Sequence, residues 1–114
     1  MDLNISKKKA IVCASSRGLG KACAESLAKE GVEIIINGVN EENLRKTEEE
    51  FKSKGYKVSS VLGAMEDEST RENLLEACPE PDILINNSGG PPPGNFFDWS
   101  ENDFLAAILS LIHI

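Results

Sequence analysis

The sequence predicts a doubly wound α/β protein, a parallel sheet covered by helices on both faces, and three observations carry that expectation. Four apolar, β-rich runs recur at Ala10 to Cys13, Glu33 to Asn37, Lys57 to Leu62 and Asp82 to Asn86, and a helical pattern follows each of them. The runs Ile34-Ile35-Ile36 and Ile83-Leu84-Ile85 do not alternate polar with apolar residues, as expected of parallel strands buried on both faces. A glycine-containing turn, Ala14-Ser15-Ser16-Arg17-Gly18-Leu19-Gly20, joins the first run to the first helix.

Each element has its own warrant. The first helix sets Leu19, Ala22, Cys23, Ser26 and Leu27 on one face, expected to pack, and Lys21, Glu25 and Lys29 on the other. It ends at Gly31, a residue suited to the left-handed position past a helix C-terminus. The second helix starts at Asn40 as N-cap, carries Glu41 and Glu42 in its first turn, packs through Leu44 and Phe51, and stops near Gly55. The third starts near Asp67 and ends by Pro79. Gly89-Gly90-Pro91-Pro92-Pro93-Gly94 is excluded from helix and from interior strand. This stiff loop follows a strand end, so it serves either as one wall of a substrate pocket or as a plain connector. Ser100-Glu101-Asn102-Asp103 then forms a capping box for a last helix, with Phe104, Ala107, Ile108 and Leu111 expected inward.

Composition narrows the function classes. At 114 residues and 40% apolar content the chain has the size of a single layered unit. No run approaches the roughly 20 residues of a membrane span, so the reading is soluble with no membrane partner. A net charge of −7 argues against a nucleic-acid partner, and acidic clusters such as Glu48-Glu49-Glu50 read as a solvated helix face. Cys13, Cys23 and Cys78 are odd in number and form no C-x-x-C pair. They read as reduced thiols in a cytoplasmic protein, and no metal is expected.

The chemistry resides in two segments. Gly18 and Gly20 let the backbone approach a pyrophosphate, and the helix they open aims unpaired N–H groups and its positive dipole end at the anion. Arg17, just before Gly18, is placed to pair with a ribose phosphate, and the second strand ends in Asn37-Gly38-Val39-Asn40 with no carboxylate to repel it. The fourth strand ends in Asn86-Asn87-Ser88-Gly89. The expected phosphate-binding residues of the turn are therefore Ala14, Ser15, Ser16, Arg17, Gly18, Leu19 and Gly20.

Together the two segments resemble the short-chain dehydrogenase/reductase family, in the manner of its 3-oxoacyl-[acyl-carrier-protein] reductases, over residues 7 to 108 or about the first half of a member. The resemblance implies a Rossmann-like NAD(P)-binding domain and an oxidoreductase moving a hydride between NADP(H) and a carbonyl or alcohol, and it adds Asn86, Asn87, Ser88 and Gly89, similar to the family's Asn-Asn-Ala-Gly element, to the expected cofactor-binding residues. NADP is expected over NAD, and a homo-oligomeric parent is implied. The family's first turn glycine is replaced by Ala14 or Ser15, depending on alignment. Its basic residue after the second strand is replaced by Val39, and Ala64 and Met65 stand where relatives often use an Asp against adenine, leaving backbone and apolar contact. The family's Ser, Tyr and Lys are absent: Tyr56, with Ser60 four residues on, reads as a packing or surface residue, and no catalytic residue is assigned.

The pattern stops after about four strand-helix units, so residues 1–114 read as the N-terminal part of a single NAD(P)-binding Rossmann domain, carrying cofactor-binding elements only. The first strand is accordingly expected to lack its switch-point neighbour and expose an apolar edge. Residues Leu109-Ser110-Leu111-Ile112-His113-Ile114 match the translation of CTG-TCT-CTT-ATA-CAC-ATC, which resembles a library-preparation adapter; native helix is the alternative, and His113 carries no functional weight either way. A different class of reading is a short nucleotide-binding or regulatory module without catalysis.

Overall fold

The computed structural model describes residues 1–89 and 93–112. The Gly90 to Pro92 part of the proline loop, and His113, lie outside the described residues. The elements run β1 (Lys9–Val12), α1 (Gly18–Lys29), β2 (Glu33–Gly38), α2 (Glu41–Ser53), β3 (Val58–Leu62), α3 (Glu68–Ala77), β4 (Ile83–Ile85), a 3₁₀ turn at Phe96–Asp98 and α4 (Glu101–Ile112). All strand pairs are parallel, in the order β3-β2-β1-β4, giving a Rossmann-like α/β fold.

That order corrects one expectation. β1 does not lack a neighbour: after β3 the chain crosses back and lays β4 along the free side of β1, pairing Ala10 with Ile83 and Val12 with Ile85. The winding reverses between β1 and β4, so the switch point is present, and the open edge belongs to β4, where Leu84 is exposed.

The absence of polar alternation follows from two buried faces. Ala10, Val12, Ile34 and Ile36 point to one side and meet Ala24, Ala28, Leu44 and Phe51 of α1 and α2. Ile11, Cys13 and Ile35 point to the other and meet Met65, Leu74 and Cys78. Cys13 and Cys78 are buried free thiols, and Cys23 is an exposed one.

Local signals placed α2 and α4 correctly. Asn40 Oδ1 accepts the Asn43 N–H at 2.9 Å, and Ser100 and Asp103 exchange bonds at 2.8 and 3.3 Å. The packing faces of two helices differ from expectation. α1 buries Gly20, Ala24 and Ala28, while Leu19, Ala22, Cys23 and Ser26 lie exposed beside Ile85. The helix sits close to β1 and β2, so small residues lie under it, and Leu27, half-buried, also packs against this core as expected. In α4 the half-buried residues are Asp103 and Ala107; Phe104, Ile108 and Leu111 are exposed, with Phe104 meeting the Phe96 and Trp99 rings edge-on.

Charges join α1 to α2. Lys21 Nζ lies 2.6 Å from Glu50, and Lys54 Nζ lies 2.7 Å from Glu25 and 3.4 Å from the other Glu50 oxygen. The hydrogen bond from Lys54 holds the Glu25 carboxyl below its ordinary value, that from Lys21 does so for Glu50, and Glu25 in turn raises Lys54. A depressed carboxylate contributes stability above its unfolded pKa, about 4.3 for Glu, and that contribution is lost as pH falls through the lower folded value. The raised Lys54 contributes fully below about pH 10.4 and ceases to contribute as pH rises through its folded value. The melting temperature is therefore expected to fall more steeply in acid for the unmodified chain than for Lys54→Met, with the difference shrinking in high salt. Parallel acid limbs in a thermal melt series would show that the Lys54 bonds to Glu25 and Glu50 contribute nothing.

Candidate functional site

The carboxyl ends of β1, β2, β3 and β4 open into a cleft of about 570 Å³. Its walls are the turn after β1 (Ala14, Ser16 to Leu19), the end of β2 (Asn37 to Val39), the loop Gly63 to Glu66, the segment Asn87 to Gly89, and the cleft side of α4 at Asp103, Ala106 and Ala107. The two segments singled out in the sequence thus meet across one crevice, beside the switch point where open α/β sheets bind ligands.

The turn is shaped by its backbone. Ala14 has φ +46°, a left-handed conformation that favours glycine, so it is Ala14, and not Ser15, that stands where the turn needs one. The conformation costs an alanine about 1 to 2 kcal/mol. Gly18 follows at φ +62°, and between them Arg17 is extended at the N-cap of α1, exposed on the cleft wall. The first-turn N–H groups at Gly18, Leu19 and Gly20 have no helical carbonyl to bond and mark the positive end of the α1 dipole.

What faces the cleft is decided by what is tied down beneath it. Ser15 is fully buried: its Oγ donates to Val12 O at 2.7 Å and accepts the Asn37 N–H at 3.0 Å, and its own N–H donates to Asn37 O at 2.7 Å. Its hydroxyl is therefore turned away from the cleft, contrary to its expected place among ligand contacts. Thr47 Oγ1 donates to Ser16 O at 2.6 Å, and Asn87 Nδ2 donates to Ala14 O at 3.3 Å. The carbonyls of the turn thus find donors below.

Gly20 is buried where a Cβ would sit 2.1 Å from Ala14 O, so its role is close packing of α1 beneath the turn. At Gly38 a Cβ would meet Ser16 Oγ at 2.9 Å: the position where an acid would stand is occupied by the Ser16 side chain. Leu19 is exposed at the rim and Asn86 is exposed outside the cleft lining, whereas Asn87, Ser88 and Gly89 line it.

Cys13 lies under the cleft with its thiol pushed up by burial, partly offset by the hydrogen bond of the Asn87 backbone, which makes it a poor nucleophile. Ala64 is half-buried and Met65 buried, on the wall expected to offer backbone and apolar contact. Arg71 Nη1 holds that loop through Met65 O at 2.8 Å. Tyr56 lies at the amino end of β3, away from the cleft, its ring edge-on to Phe51 at 5.8 Å. Among the described residues no group of His, Cys, Asp and Glu is placed to hold a metal, and no helix is long and apolar enough to cross a membrane.

Sequence reasoning missed Asn37, Thr47 and the α4 contribution. Asn37 was legible as a polar residue ending the wholly apolar run Ile34-Ile35-Ile36, which requires buried partners.

The model of the short chain dehydrogenase family matches residues 8–111. The chain is 40% identical over 107 residues to the uncharacterized oxidoreductase YvaG of Bacillus subtilis (strain 168), covering 91% of this chain and 40% of that protein. It is 32% identical over 108 residues to the NADPH-dependent reductase BacG of the same organism, covering 90% and 42%. The structure of L-sorbose reductase from Gluconobacter frateurii, complexed with NADPH and L-sorbose, superposes with a TM-score of 0.84 at 25% identity, covering 99% of this chain and 46% of that one. The chain spans less than half the length of these relatives.

Proposed function

The chain belongs to the short chain dehydrogenase family, and on that premise we propose that it supplies the dinucleotide-binding portion of an oxidoreductase that moves a hydride between NADP(H) and a carbonyl or alcohol. The observation that carries this reading is the crevice beside the β1–β4 switch point, where the first turn of α1 and Arg17 face Asn87 to Gly89. In it the α1 N-terminus and the Ala14 to Gly20 backbone hold the pyrophosphate, with Ser15 and Gly20 acting from beneath. Arg17 binds the ribose 2′-phosphate, Gly63 to Met65 flank the adenine, and Asn87 to Gly89 line the opposite wall; Asn86 and Leu19 are peripheral. NADP(H) supplies the hydride when bound. The NADPH dependence of the similar reductase BacG and the NADPH complex of the similar sorbose reductase support NADP over NAD.

Proton transfer is assigned to no residue of this chain. Tyr56, its single tyrosine, packs at the wrong end of the sheet. The exposed apolar face of α4 supports a homo-oligomeric whole protein, and the buried unpaired Cys13 and Cys78 support a cytoplasmic setting.

Arg17→Ala tests the cofactor reading. The loss of one charge-assisted contact costs about 1.5 to 3 kcal/mol, so NADPH affinity is expected to fall roughly 10- to 150-fold while NADH affinity is retained. Fluorescence titration with both nucleotides reads this directly, and an unchanged NADPH to NADH ratio removes Arg17 from the site.

A further inference from the structure

We propose that Asn37 is a positioning residue for the phosphate-binding turn, joining the strained Ala14 on one wall of the cleft to the Gly63 loop on the other. The inference rests on the reading of Ala14 to Gly20 as that turn. Asn37 is 2% exposed, and its carboxamide makes three bonds. Oδ1 accepts the Ala14 N–H at 3.2 Å, and Nδ2 donates to Val61 O at 3.1 Å and to Gly63 O at 3.0 Å. One N–H and two carbonyls around the group fix its orientation, since a flipped amide would set an oxygen against two oxygens. Its backbone is bound as well, to Ser15 on both sides, so the residue cannot swing away from the turn.

The left-handed conformation of Ala14 is thereby held from two directions, by Asn37 at its N–H and by Asn87 at its carbonyl. Such a conformation persists in an alanine only when its surroundings over-determine it. Asn37 contacts no ligand in this scheme. It sets the direction in which the following N–H groups point, and it couples that direction to the loop that flanks the adenine.

The chemistry demands an amide. Asp at the same position accepts from Ala14 but turns a carboxylate toward two carbonyl oxygens, and Leu keeps the volume while leaving all three partners unpaired. The test is a double-mutant cycle on the full chain, read by NADPH titration with thermal melting alongside. Asn37→Asp is expected to weaken NADPH at least tenfold at pH 8. In the Ala14→Gly background, where glycine adopts the conformation unaided, the same change is expected to cost at most a third as much. Equal losses in both backgrounds, or an unchanged affinity in folded Asn37→Asp, overturn the proposal.

Amide hydrogen exchange on the unmodified chain gives a second readout that no folding failure can obscure. The Ala14 amide is expected to exchange at least tenfold more slowly than that of Arg17, and equal rates overturn the proposal. If the unmodified chain fails to bind NADPH, the cofactor reading falls, and slow exchange at Ala14 still decides whether Asn37 holds the turn.

Discussion

Gly20→Ala is expected to destabilise the chain by about 2 to 3 kcal/mol, the upper range for overpacking a well-filled site. The added Cβ would lie 2.1 Å from Ala14 O and 2.9 Å from Asn87 Nδ2, and the first of these neighbours is backbone that cannot rotate aside. Either α1 lifts from the sheet or the turn reshapes. Alanine is the better helix former by about 1 kcal/mol, which offsets part of the cost and makes the expected sign a real test. Chemical denaturation measures it, and an unchanged midpoint would show that the helix yields easily. NADPH affinity is expected to fall with stability, because the atoms displaced are those that orient the turn.

Phe51→Ala is expected to cost about 3 to 5 kcal/mol, a large share of the stability of a domain this size. Phe51 is wholly buried among Leu44, Val32, Ile34 and Ile36 and meets the Tyr56 ring edge-on, 5.8 Å away with planes inclined at 69°. Its removal opens a cavity between α2 and the sheet and strips Tyr56 of its partner. Denaturant titration gives the loss, and a tyrosine fluorescence change in the folded state reports the second effect. A cost below about 1 kcal/mol would mean that the core collapses around the gap.

The parts of the fold that were legible in the sequence are those decided within one or two turns of chain. Asn40 and the Ser100–Asp103 pair cap their helices with the hydrogen bonds that their spacing implies. The unbroken isoleucine run reads as a doubly buried strand because neighbouring residues face two different helical layers. The packed face of α1 was only partly legible. Leu27 packs against the core as expected, whereas Leu19, which outranks Gly20, Ala24 and Ala28 on any hydropathy pattern, lies exposed and the close approach of helix to sheet selects the small residues. The site divides along the same line. The turn and Asn87 to Gly89 were visible as motifs, whereas the inward hydroxyl of Ser15 and the amide of Asn37 depend on strand ends that meet only in the folded sheet.

The β3-β2-β1-β4 order also fixes when the crevice can exist as the chain folds. The Ala14–Asn37 bond closes over a separation of 23 residues, while the Asn87–Ala14 bond that completes the other wall closes over 73. By chain entropy alone the later closure is dearer by about 1 kcal/mol. The wall that β4 contributes therefore costs more chain entropy to close than the wall shared by β1 and β2. Under the proposed cofactor reading, a nucleotide spanning both walls favours by mass action the arrangement in which β4 lies beside β1. Ligand affinity then also measures how completely β4 has joined β1.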